Sequence, residues 1–235
     1  MNGQPKTILA VGAHAGDMEV SCGAALAKHA RNGDAVTLLH LTLGEGGNPA
    51  LSPERYGAQK RREAESVAAA MGARVLFGPY RDGELPCNDE AKRFVADVIR
   101  AVKPTHIVTH WRRSIHPDHA NTHTIVNDAV LLASLEAVAT SHARHRGVQA
   151  IYFTENWEDP EEFSPYLYVD VSAELDDWKK WIVGYQFIKG GISNFPYLDY
   201  YTALARVRGA EAGTMFAVSF TVDPFERKRR VEMLP

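Results

Sequence analysis

Residues 7–42 read TILAVGAHAGDMEVSCGAALAKHARNGDAVTLLHLT, and this segment sets the architecture of the chain. Segment 7–13 is a continuous apolar run, as expected for a strand that is buried on both faces. Segment 24–32 has the pattern of a helix that ends at Gly33, and 35–42 is a second apolar run. A strand, a helix and another strand in this order predict two parallel strands joined by a crossover helix.

The same alternation continues along the chain. Further strands are predicted at 74–77, 106–110, 148–154 and 167–171, and further helices at 53–71, 89–102, 119–139, 173–189 and 200–208. This order predicts an α/β protein with a mostly parallel central sheet and helices on both faces. Because the sequence has no repeat and no clear linker, we expect a single domain over 1–235. The acid- and proline-rich segment 156–165 is interpreted as an exposed loop.

Composition limits the classes of function. The 235 residues are 45% hydrophobic and 23% charged, and a net charge of −3 argues against a general affinity for nucleic acid or an anionic membrane. The basic run 226–230 is interpreted as a solvated segment. No apolar run approaches the roughly 20 residues of a membrane span, and the first residues lack the pattern of a signal peptide. Cys22 and Cys87 do not make a disulfide framework, so a cytoplasmic protein is expected.

Residues with metal-binding chemistry follow two of the predicted strands. His14 and Asp17 come directly after the first strand, and His119 follows the fourth. In an open parallel sheet, sites form beyond the carboxyl ends of the strands. Imidazole nitrogen and carboxylate oxygen bind zinc, and three such ligands leave a fourth position open. His116 would then lie near the metal as a proton donor, and Asp118 would orient an imidazole. The alternative is that these are ordinary polar loop residues.

Short motifs along nearly the whole chain resemble those of one known family. These motifs are 13–19 (AHAGDME), Thr42-Leu-Gly44-Glu45-Gly-Gly47, Lys60-Arg-Arg-Glu63 leading to Met71-Gly72, Asp82-Gly83-Glu84-Leu85, His116-Pro-Asp-His119, Tyr168-Val-Asp170-Val-Ser172, and the late Gly213, Ala217 and Phe220. The sequence resembles the PIG-L/LmbE-like family of zinc-dependent N-acetylglucosaminyl deacetylases. That family reads AHPDDxE at the first motif and HPDH at the fifth, and these two are the specific ones.

The resemblance implies a fold, a cofactor and an activity. The fold would be a Rossmann-like three-layer sandwich of the LmbE type. Zn²⁺ or another divalent metal would be bound by His14, Asp17 and His119, while His116 stabilises an oxyanion or protonates the leaving amine and Asp118 orients His116. The reaction would be hydrolysis of a C–N amide bond, most simply N-deacetylation of an N-acetylglucosamine-type sugar or glycoconjugate. The resemblance also implies a homo-oligomer, a trimer or hexamer.

The chain departs from the family at Gly16, which replaces the first aspartate of HPDD. In the family that aspartate looks like the general base that acts on the metal-bound water. Losing a positioned base typically costs about 10²–10⁴-fold in rate. Three interpretations follow. Glu19 or Glu45 replaces the base, or the metal and His116 suffice for another substrate, or the chain is a catalytically silent metal- or sugar-binding relative. A nucleotide-binding enzyme is disfavoured because no G-x-G-x-x-G follows the first strand.

Several other residues have two interpretations each. Cys22 is interpreted as a core residue rather than a nucleophile, and His110 and His123 as residues near the rim of the pocket. The aromatic residues after Gly190 could line a sugar site or a subunit contact: Phe195, Tyr197, Tyr200 and Tyr201. Trp178, Trp181 and Tyr185, at helical spacing, are expected to pack in the interior.

Overall fold

Seven strands form one mixed sheet in the computed structural model, which describes residues 5–227, without the side chains of 225 and 226. The strands are β1 (Thr7–Gly12), β2 (Ala35–His40), β3 (Arg74–Phe77), β4 (His106–Thr109), β5 (Ala150–Thr154), β6 (Leu167–Asp170) and β7 (Ala217–Thr221). Their order across the sheet is β3-β2-β1-β4-β5-β7-β6. The pairs among β1 to β5 are parallel, whereas β7 is antiparallel to both β5 and β6. Residues 228–230 of the basic run lie outside the described residues.

Helices cover both faces of the sheet. They are α1 (Asp17–Ser21), α2 (Gly23–Arg31), α3 (Pro53–Met71), α4 (Asp89–Val102), α5 (Pro117–Ser134), α6 (Leu175–Ile182) and α7 (Tyr197–Ala212). Alternate residues of β1 enter different cores, because successive side chains of a strand point to opposite faces. Ile8 and Ala10 pack with residues of α2, α3 and α6, while Leu9 and Val11 pack with residues of α4 and α5. The predicted mostly parallel α/β fold is thereby confirmed.

Some predicted bounds differ from those in the structure. The helix predicted at 119–139 runs from Pro117 to Ser134, since proline is accommodated at the first turn of a helix. The helix predicted at 173–189 is α6 followed by a separate 3₁₀ turn, Gln186–Lys189. Strand β7 was not predicted at all, because segment 217–221 entered the sequence analysis only as part of a late motif.

The segment 156–165 is not a simple exposed loop, so that prediction is wrong. Asn156 is 5% exposed and Asp159 is fully buried. The segment begins directly after β5, at the same edge of the sheet as the turns after β1 and β4. A buried carboxylate requires partners, and the partners of Asp159 are described below. Among the described residues, no helix is both long and apolar enough to span a membrane.

Candidate metal centre

The centre lies where β1 and β4 end side by side. Strand β1 has β2 on one side and β4 on the other, and the chain turns from β1 towards β2. Where neighbouring connections leave a parallel sheet in opposite directions, a crevice opens at the carboxyl ends of the strands. Gly16 has a φ of 111°, a left-handed conformation that favours glycine, and it lets the turn close directly before α1. In this turn the backbone N–H of His14 donates to Asp17 Oδ2 at 2.7 Å.

The spacing of three ligand atoms fits a single tetrahedral metal ion. His14 Nδ1 lies 3.4 Å from Asp17 Oδ2, His119 Nε2 lies 3.6 Å from the same oxygen, and the two nitrogens lie 3.3 Å apart. Ligands about 2.0–2.2 Å from a tetrahedral zinc ion are about 3.3–3.6 Å from one another. The structure therefore brings the three predicted ligands together at a separation that suits a metal, and these atoms form one of the candidate metal-binding groups.

Asp159 orients two of the imidazoles behind this group. Its carboxylate accepts from His119 Nδ1 at 3.0 Å and from His110 Nδ1 at 3.0 Å. Burial alone would raise the pKa of Asp159, but these two bonds lower it to about 2. His110 Nε2 in turn lies 3.0 Å from Asp17 Oδ2. Because His119 uses Nδ1 for Asp159, its Nε2 is left for a metal, which is the usual carboxylate–histidine–metal arrangement.

The sequence analysis missed Asp159 and placed His110 only near the rim. The signal that could have found Asp159 is its position, since segment 155–159 directly follows β5 and β5 ends beside β4. His110 directly follows β4 and is fully buried between Asp17 and Asp159. Burial alone would lower the pKa of His110, yet these two carboxylates raise it to about 9.

Asp118 contacts His14 rather than the ring of His116. Its carboxylate accepts the backbone N–H groups of Gly83 and Leu85, and Oδ2 lies 3.4 Å from His14 Nε2. Asp82 Oδ1 lies even closer to the same nitrogen, at 3.0 Å. The expectation that Asp118 orients His116 through its carboxylate therefore differs from the structure, because it is the backbone N–H of Asp118 that donates to His116 Nδ1, at 3.2 Å.

A backbone hydrogen bond holds the ring of His116 in one tautomer. Since Nδ1 accepts from the backbone, the neutral ring carries its proton on Nε2. Burial, together with the charges of His14 and His119, lowers the pKa of His116. His116 lines a cleft over the ligand group, here called the metal cleft, whose walls also include His14, Lys60, Asp82, Glu158 and Phe187.

Glu158 is a carboxylate in the wall of the metal cleft, close to the ligand group. Its Oε2 lies 3.6 Å from His119 Nε2, and its side chain remains 21% exposed. Burial raises the pKa of the Glu158 carboxyl to about 7, and the Asp17 carboxylate adds to the shift. Sequence reasoning missed this residue, because Glu158 was placed in a loop expected to be exposed.

Neither carboxylate named from the sequence reaches the cleft. Glu19 is fully buried, where Tyr185 donates to it at 2.6 Å and His40 Nε2 lies at 3.1 Å. Glu45 Oε1 accepts the backbone N–H of Asp82 at 3.0 Å, and Glu45 does not line the metal cleft. The structure therefore does not support either residue as the replacement base.

The space beside Gly16 is already filled. A Cβ atom built on Gly16 would lie 2.9 Å from Phe187 Cζ and 3.7 Å from Lys60 Nζ. The first distance is a clash, and the positive φ adds strain for any other residue. An aromatic ring and a lysine thus occupy the surroundings of the position that the family's aspartate holds.

The remaining candidates divide between interior and cleft. Cys22 is fully buried and its pKa is raised to about 12 by burial, so the expectation of a core residue fits. His123 Nδ1 donates to the His110 carbonyl and its ring packs on Phe153, rather than facing the cleft. Tyr197 and Tyr201 line the metal cleft. Trp178 and Tyr185 are buried, as predicted, and Trp181 is half-buried against the same core.

With this geometry in view, comparison with known families gives a clear match. Residues 9–130, more than half of the chain, match the family model described as PIG-L, GlcNAc-PI de-N-acetylase. The chain belongs to the PIG-L family. The matched range contains the turn after β1 and the amino-terminal part of α5, and so all three candidate metal ligands.

Individual relatives of this PIG-L chain carry two kinds of activity in their names. This chain is 26% identical over 221 residues to a 4-oxalmesaconate hydratase of Pseudomonas putida, and the match covers 90% of this chain and 83% of the relative. It is 29% identical over 225 residues to a 1D-myo-inositol 2-acetamido-2-deoxy-alpha-D-glucopyranoside deacetylase of Rhodococcus erythropolis, covering 75% and 76%. The solved N,N'-diacetylchitobiose deacetylase from Pyrococcus horikoshii has a TM-score of 0.81 at 20% identity, covering 94% of this chain and 85% of that one, which supports the fold.

Proposed function

We propose that this PIG-L family enzyme is a metal-dependent hydrolase of a C–N amide bond, acting on an N-acetylated sugar or glycoconjugate. The metal we propose is zinc, bound by His14, Asp17 and His119. The observation that carries the proposal is the mutual spacing of the three ligand atoms, 3.3, 3.4 and 3.6 Å. We further propose that 1–235 is one domain, while the trimer or hexamer stays a prediction.

The residues around the cleft can carry out the proton transfers of amide hydrolysis. When bound, a divalent metal polarises a carbonyl group and acidifies water. Glu158 accepts the proton of the attacking water on its carboxylate and passes it to the departing amine, while His116 donates a hydrogen bond from Nε2 to the oxygen of the reacting carbonyl group. Asp159 and Asp82 keep the imidazoles of His119 and His14 oriented.

A second candidate function is the addition of water to the double bond of an unsaturated carboxylate. Two observations favour it. The relative that carries the name of a hydratase matches over 90% of this chain. Gly16 also removes the carboxylate that the deacetylase motif places beside the metal, and Lys60 stands next to that position instead.

The test measures metal content and amine release in one sample. Purified protein is analysed for bound metal, and amine release is followed with N-acetylglucosamine and its conjugates. We expect about one zinc per chain, lost together with amine release in His14→Ala and His119→Ala. His142→Ala is the matched control, because His142 is an exposed histidine paired with Asp97 outside the cleft.

The outcomes separate the candidates. Bound metal with no amine release, but with hydration of an unsaturated dicarboxylate, would favour the second function. Bound metal with neither reaction would favour the silent binding relative. A chain that binds no metal would overturn the assignment of the three ligands.

A further inference from the structure

Lys60 is a buried cation in the wall of the metal cleft. It lies on the buried face of α3 and is 4% exposed. Its Nζ donates to the carbonyl oxygen of Ala15, and it lies 4.9 Å and 4.2 Å from the ring centroids of Tyr185 and Phe187. Over residues 5–227, Lys60 makes no ion pair. A buried charge without a counter-charge is unfavourable, so the presence of a lysine at this buried position calls for an explanation.

The acidic groups around Lys60 are already committed to other partners. Asp17 lies against His14 and His110, Glu19 against His40 and Tyr185, Glu63 against Gln59, and Asp82 against His14. Burial outweighs these more distant carboxylates and lowers the pKa of Lys60 to about 8. The amine is therefore mostly protonated at neutral pH, and none of the residues that the structure describes places a carboxylate in contact with it.

Position 16 is where a neutralising carboxylate would stand. A Cβ atom there would lie 3.7 Å from Lys60 Nζ, within reach of an ion pair for any acidic side chain. Glycine has no side chain and so supplies no counter-charge to Lys60. Both Gly16 and Lys60 line the metal cleft. A ligand in the cleft can therefore bring the missing negative charge to the ammonium group.

We propose that Lys60 binds an anionic group, a carboxylate or a phosphate, on the substrate of the metal cleft. The proposal rests on the proposed function only in using the same cleft, and it applies to both candidate reactions. The substrate would place its reacting group at the metal ligands and its anion against Lys60 Nζ, in the wall of the same cleft. Phe187, Trp157 and Tyr197 supply apolar cleft surface for the part between them.

The test uses benzoate and benzamide, which match in shape and differ in charge. Binding of each to the metal-loaded protein is measured by calorimetry for the wild type, Lys60→Met and Lys60→Arg. Methionine keeps the length of the apolar stem without the charge, and arginine keeps the charge. Lys92→Met is the matched control, because Lys92 pairs with Asp128 at 2.9 Å outside the cleft.

We expect the wild type to bind benzoate at least tenfold more tightly than benzamide. Lys60→Met should lower this preference more than threefold, whereas Lys60→Arg and Lys92→Met should keep it. Benzamide binding should stay within threefold in all variants. A metal contribution to benzoate binding is common to all variants and cancels when they are compared, so a preference in Lys60→Met that stays within threefold of the wild-type preference overturns the proposal.

Two further measurements keep the test decisive. If Lys60→Met does not fold, the wild-type comparison still stands, because equal binding of benzoate and benzamide overturns the proposal by itself. Binding of phenyl phosphate is measured beside that of benzoate in the same proteins. The compound whose affinity depends more strongly on Lys60 shows whether the anion is a phosphate or a carboxylate. Amine release is not measured in this experiment, so failure of the proposed hydrolase activity leaves its result unaffected.

Discussion

Asp159 is the residue on which the geometry of the candidate metal centre most depends. It joins His119, a proposed ligand, to His110, which contacts Asp17, another proposed ligand. Both imidazoles are fully buried, so water cannot replace the carboxylate as their acceptor. One buried side chain thus fixes the tautomer of one proposed ligand and the position of another.

Asp159→Asn should weaken metal binding about 10–100-fold. In asparagine one of the two carboxylate oxygens becomes an NH₂ group, which cannot accept from a histidine, and the negative charge is lost. A competition titration with a metal-sensitive dye measures the affinity. Asp199→Asn, at an exposed position of α7, is the control. An affinity equal to that of the wild type would show that Asp159 does not orient the ligands.

Glu158→Gln should lower kcat/KM about 10²–10⁴-fold, because glutamine cannot accept the proton of the attacking water. The pKa of Glu158 is raised to about 7. A base works when it is deprotonated, so wild-type activity should rise as pH increases through about 7, and this rise should be absent in the variant. Glu161→Gln, exposed in the same segment, should keep both rate and profile. An unchanged profile in Glu158→Gln would assign the base elsewhere.

At the scale of elements, Arg100 secures the end of α5 from the neighbouring α4. Arg100 is 3% exposed and donates to the carbonyl oxygens of Leu132, Ala133, Leu135, Val138 and His142 and to Thr140 Oγ1. The last carbonyl groups of a helix have no partner within the helix. One guanidinium thus serves both the end of α5 and the turn that follows it, on the opposite end of the helix from His119.

Arg100→Met should destabilise the protein by about 2–4 kcal/mol, because it leaves several carbonyl groups without donors. Urea unfolding of the metal-free protein measures the change. Arg93→Met, on the exposed side of the same helix, should change the free energy of unfolding by less than about 0.5 kcal/mol. Equal effects of the two substitutions would contradict the role given to Arg100.

The elements that the sequence predicted well are those with one dominant local signal. Helix α3 has a proline at its start and Gly72 in a left-handed conformation at its end, and its predicted bounds agree with the structure. Strand β7 has no such signal, because its partners β5 and β6 are distant in sequence and its direction is set by pairing with them. Glu158 and Asp159 were missed for a related reason, since burial of an acidic loop depends on partners elsewhere in the chain.

Across the whole molecule, the candidate metal centre connects segments that are far apart in sequence. His14 and Asp17 belong to the turn after β1, His119 to the start of α5, and Asp159 to the segment after β5. A metal that binds only the folded chain stabilises it, by about 2.7 kcal/mol at a free concentration 100 times its dissociation constant. Because the metal joins these segments at one place, its removal should loosen the carboxyl-end edge of the sheet before the rest of the fold.

Chelation of the metal should accelerate amide hydrogen exchange in 14–21, 111–119 and 155–163, and leave β1, β2 and α4 nearly unchanged. Mass spectrometry of peptide fragments measures this pattern. His119→Ala, which lacks a proposed ligand, should show no difference between metal and chelator. Faster exchange that is uniform over the molecule would indicate that the metal supports the global fold instead.

The ring of Phe187 beside Gly16 has a consequence for how this chain could have diverged from relatives with an aspartate at that position. Because a Cβ atom on residue 16 would lie 2.9 Å from the ring, residue 16 cannot gain a side chain while the ring of Phe187 stays in place. Substitutions at the two sites should be correlated in descent, with glycine at 16 accompanying a large aromatic residue at 187. An ancestor that exchanged its acidic residue for glycine would have opened the space that the ring fills, and a single reversion would now meet an occupied site.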